Sequence, residues 1–179
     1  MTITLILVLC AVLALLFFLF RIKGYGAAPL HESNLASRLQ SVDLEAFHNL
    51  IDPDEEKFLR SNLKPREFRV IQRQRLRAAV DYVAGVSQNA AVLLQLGLAA
   101  RRSPDIRIAE AGRQLVDAAV RLRLTSVLAT GKLYARMVFP GTLMEPAGIV
   151  DHYRSMSHQA ALLGRLQNPA KAGLLSKAL

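Results

Sequence analysis

Apolar side chains fall into two kinds of pattern along this chain, and each predicts a different element. The first is unbroken. From Ile3 to Phe20 the run carries one polar side chain, Thr4. A helix rises ~1.5 Å per residue, so this run and its flanks reach roughly the ~30 Å of bilayer hydrocarbon. A helix apolar on every face needs lipid or a much larger protein around it. A cleaved secretory leader would place basic residues before a shorter apolar core. Here only Met1 and Thr2 precede the run, and the basic residues Arg21 and Lys23 follow it. Basic flanks mark the cytoplasmic side. The pattern therefore predicts one transmembrane anchor over residues 1–23 at the cell membrane, with the N-terminus outside and the remainder cytoplasmic. Lipid is contacted through residues 3–20.

The second pattern is periodic. After Pro65, the residues Leu76, Ala79, Val83, Val86, Ala90, Leu93, Gly97 and Ala100 recur at steps of three and four. After Asp105, Ile108, Gly112, Leu115, Ala119, Leu122, Ser126, Ala129 and Leu133 do the same. Such heptad-like spacing predicts helices with one buried seam each. The short connection at Arg102-Ser103 makes them an antiparallel pair. Folding the chain there pairs residues whose numbers sum to about 205. Leu93 would then lie over Gly112 and Gly97 against Ile108, small facing large. A third stripe, Ile149, Tyr153, Met156, Ala160 and Leu163, predicts a helix packed along this hairpin. Ala90 to Ala100 is too short an apolar run for a second span, and Gln88 and Asn89 precede it.

Prolines and acids punctuate these helices. Residues 24–40 form a linker of mixed polarity. Ser41 to Glu45 open a helix that stops near Ile51, and Asp52-Pro53 restarts it with proline at the first position. Lys64-Pro65, Ser103-Pro104-Asp105, Glu145-Pro146 and Asn168-Pro169 mark further starts. The expectation is an all-α chain: an anchor, then a helical domain over 41–167. That domain has a hairpin of about 65–101 and 104–139, a third helix of about 146–167, and a short helical tail at 168–179.

Charge adds one feature. The net charge is +9, which points to an anionic partner. Residues 30–56 are acidic and residues 57–77 basic. Arg66, Arg69, Arg73 and Arg77 share one helical face, with Phe68, Ile71 and Ala79 opposite. That face is solvated, docks the acidic segment, or meets anionic lipid headgroups. Nucleic acid ranks below lipid, because no aromatics interleave with the arginines. Arg75 falls near the apolar stripe and needs a partner from the acids between Asp43 and Glu56.

Reaction chemistry is not visible in the sequence. The single cysteine, Cys10, lies inside the apolar run. His152 and His158 do not align on one helical face, and His48 with Asp52 suggests at most a surface hydrogen bond. No metal-ligand or phosphate-loop motif is present. The expectation is a chain without catalytic residues, cofactor, metal or small-molecule substrate. It would be an adaptor, scaffold or assembly module with a protein partner or a second copy of itself. The alternative is a module that uses Arg66–Arg77 on anionic lipid or nucleic acid.

Overall fold

The computed structural model divides the chain into two compact units, Met1–Leu30 and His31–Leu179. The described residues are 38–139 and 148–167, all within the second unit. The apolar run 3–20 and the tail 168–179 lie outside them. The described residues are helical, without a strand.

Local chemistry sets each start. Helix α1 (Leu44–Ile51) begins where the Asp43 carboxylate accepts from the Glu45 and Ala46 N–H groups, at 3.0 and 2.9 Å. Helix α2 (Pro53–Asn62) begins where Asp52 accepts from the Asp54 N–H at 3.0 Å, with Pro53 in the first position. These bonds satisfy donors that a helix start leaves unpaired. Helix α3 runs Pro65–Ala100 and helix α4 Ile106–Val138, the latter capped by Asp105 on the Arg107 N–H at 2.8 Å. Helix α5 is Ile149–Gln167. It does not start at the Glu145-Pro146 signal. Gly148, just before it, has φ +87°, a left-handed backbone that cannot belong to a right-handed helix.

Helices α3 and α4 pack along their length, and α5 lies mainly against α4. The eight apolar positions spaced along α3 from Leu76 to Ala100 are all buried. So are the α4 positions from Gly112 to Leu133, whereas Ile108 stays half-exposed. Tyr153, Met156, Ala160 and Leu163 of α5 close the core. One described helix, α3, is long and apolar enough to cross a membrane, and half of its most apolar stretch is buried inside the domain.

The register differs from the expected sum near 205. The atoms nearest a Cβ on Gly97 belong to Gly112 and Val116 rather than Ile108, and those nearest a Cβ on Gly112 to Gly97, Ala100 and Arg101 rather than Leu93. The reason is the connection. Arg101–Asp105 continues to turn, with Arg101 donating to Gly97 O at 2.9 Å and Ser103 to Ala100 O at 2.9 Å. The first turn of α4 therefore overshoots the end of α3, and Ile106 is 81% exposed. Glycine faces glycine, and the two backbones touch. A Cβ on Gly97 would lie 3.0 Å from the Gly112 carbonyl oxygen.

A buried polar tie holds the chain entering this domain. Asn89 is fully buried. Its side chain accepts from the Gln40 N–H at 2.8 Å and donates to Gln40 O at 2.7 Å and to the Tyr153 hydroxyl at 3.1 Å. Leu39 is buried too, so the end of the expected 24–40 linker belongs to the domain. Burial pushes the Tyr153 hydroxyl above its ordinary value of 10.0, and the Asn89 hydrogen bond offsets this only in part. The folded state thus holds the phenol proton more tightly than the unfolded chain. Its stabilising share is complete below the ordinary phenol pKa and is lost as pH rises through the folded value. Unfolding midpoints followed between about pH 9 and pH 11 should fall in the native chain. They should fall less in Tyr153→Phe; equal slopes would remove Tyr153 from the account.

Candidate functional site

The acids of α2 decide which arginines stay open. Arg75, placed by its helical angle toward the interior, donates to Glu55 at 2.7 Å and to the Asn49 carbonyl at 2.8 Å. It thus finds its partner in the acidic segment expected to supply one. Glu56 turns the other way. It accepts from Gln72 at 2.9 Å, from Arg60 at 3.1 Å, and in a short contact from Arg136 at the end of α4. Arg60 also lies over the Phe68 ring, 5.1 Å from its centroid, a favourable cation–π distance. One acidic helix therefore clasps the start of α3 to the end of α4.

Arg66, Arg69, Arg73 and Arg77 take no part in this clasp. All four are exposed, and none makes an ion pair with a described residue. Phe68 and Ala79 are buried on the opposite side of α3, and Ile71 is half-buried. With Arg136, Met137 and Val138 the four arginines line a groove of about 630 Å³. Phe68 and Leu76 contribute buried apolar surface to it, and no acid is among its lining residues. Guanidinium groups so placed bind phosphate, sulfate or carboxylate through forked hydrogen bonds.

The arginine face was legible from helical spacing alone. Helical spacing does not place Arg136, Met137 and Val138 beside it. The signal that could have found them is the hairpin itself, since folding the chain at its turn brings the end of α4 beside the start of α3. The four seam residues lie elsewhere: Leu93, Gly97 and Gly112 are buried nearer the turn, with Ile108 half-exposed beside them.

Among the described residues the histidines gather in no metal-binding cluster. His48 and His158 are exposed, and the His152 ring lies 2.5 Å from Gly148 O at the start of α5. Among the described residues no three His, Cys, Asp or Glu side chains gather as metal ligands would. No protein-family model, curated protein or solved structure matches the chain.

Proposed function

We propose that this chain is a single-pass membrane protein, anchored by residues 3–20 with its N-terminus outside. It presents its helical domain at the cytoplasmic face for protein–protein contact, as an adaptor, scaffold or assembly factor. The observation that carries this reading is the outward side of α4. Val120, Leu124, Leu128 and Tyr134 are exposed there, Leu128 by 66%. They lie opposite the buried stripe from Leu115 to Leu133. Gly131 sits among them with open space where a Cβ would be. A contiguous apolar stripe on a water-facing helix marks an interaction surface more often than scattered single side chains do. Its form suits an amphipathic helix laid alongside it.

A photo-crosslinking residue at Leu128 in the native membrane should capture one discrete protein adduct, either another chain or a second copy. Lipid adducts alone would overturn the reading. A reporter that works only outside the cytoplasm, fused after Leu179, should stay silent; activity there would reverse the orientation. The basic groove favours a second reading, contact with an anionic surface.

A further inference from the structure

We propose that the groove between the start of α3 and the end of α4 docks the domain flat on a bilayer rich in anionic phospholipid. This rests on the anchor reading and adds what the tethered domain does at that surface. Two acids of α2 that reach this end of the hairpin are already used: Glu55 holds Arg75, and Glu56 holds Arg60 and Arg136. The four rim arginines are left exposed and without an acidic partner among the described residues. They run along one side of a helix for ~16 Å, at ~1.5 Å per residue. A line of charge matches a plane of headgroups better than a single compact anion.

Apolar side chains stand among these charges. Val70 is 58% exposed and Val138 68%, and both line the groove. Side chains of this kind sit just below headgroup level when a basic surface meets a membrane. A nucleic-acid site would offer open aromatic faces for base stacking. The one aromatic in the lining, Phe68, is buried beneath Arg60. The residues between anchor and domain, 24–37, reach up to about 50 Å when extended, so the tether permits the contact. Each basic residue near an anionic surface strengthens binding about fivefold, so four amount to roughly several hundredfold.

The test uses the full chain with Cys10→Ser and Val70→Cys, labelled at position 70 with a polarity-sensitive fluorophore. It is reconstituted in nanodiscs of phosphatidylcholine, alone or with roughly one third phosphatidylglycerol. Emission should shift to the blue, and spin-labelled lipid should quench it, only in the anionic discs. High salt should abolish the shift. So should combined Arg66→Glu, Arg69→Glu, Arg73→Glu and Arg77→Glu, whereas lysine at all four should preserve it. Circular dichroism checks that these surface changes leave the helices intact.

Equal emission in both discs, with the chain inserted, overturns the docking and leaves the anchor standing. If the chain does not insert, the anchor reading falls and the groove is judged by flotation with vesicles of the same two compositions. Flotation that needs phosphatidylglycerol and is lost in the glutamate variant supports the docking; flotation indifferent to it overturns it. Salt-sensitive binding of a DNA duplex, lost in the glutamate variant and without an emission shift in anionic discs, would make the groove a nucleic-acid site and overturn the proposal.

Discussion

Gly112→Leu will lower the stability of the helical domain by about 3 kcal/mol, the upper end of what overpacking a core usually costs. A Cβ at Gly112 would lie 2.7 Å from the Arg101 nitrogen, 2.9 Å from Gly97 O and 3.0 Å from the Ala100 carbonyl carbon. All three are backbone atoms. No side chain can swing away, so α3 and α4 must separate where the turn joins them. Gly131→Ala should do the reverse and stabilise by about 0.5–1 kcal/mol, because a Cβ there meets open space and glycine is a poor residue inside a helix. Glu110→Ala, whose partner Arg113 is as exposed as itself, should change stability by only a few tenths of a kcal/mol. Thermal unfolding of the full chain in mild detergent ranks the three. If Gly112→Leu proves as harmless as Glu110→Ala, the glycine-to-glycine contact does not exist.

Glu56→Ala should cost about 3 kcal/mol. Its side chain is 18% exposed and that of Arg136 13%, so removing the carboxylate leaves a half-buried guanidinium without its anion. Gln72 and Arg60 lose an acceptor at the same time. Glu55 is far more open to water, and Glu55→Ala should cost about 1 kcal/mol, as solvent screens the pair. A double-mutant cycle separates the pair from its surroundings. Arg136→Met added to Glu56→Ala should recover part of the loss, with a coupling of about 1–3 kcal/mol. Strict additivity would mean that the contact contributes nothing.

The helical seams were readable because burial follows a period that side-chain order records directly. Leu76 to Ala100 and Gly112 to Leu133 needed no information beyond spacing. Their register was not readable, since it depends on how far the chain climbs while it turns at Arg101–Asp105. That climb is set by backbone bonds such as Ser103 to Ala100 O, which leave no mark on the stripe. Arg75 could be assigned an acidic partner because a charge near the core cannot remain alone. Asn89 could not be placed so well. A lone amide before an apolar run looks like the polar edge of that run, and only the fold brings Gln40 and Tyr153 to it. The groove was half legible: the α3 wall lies in one helical face, while the α4 wall is some sixty residues away along the chain.

The Gln40–Asn89 tie also sets where a load would enter. Two hydrogen bonds and buried Leu39 fix the incoming chain to α3 at Asn89, nearer the hairpin's turn than its open end. A pull arriving from residues before Leu39 would act there, on a buried amide with a cross-brace to α5 through Tyr153. Helices α1 and α2, which follow the tie in sequence, would be slack in such a pull. The Glu56 clasp at the open end would bear none of it until the amide let go.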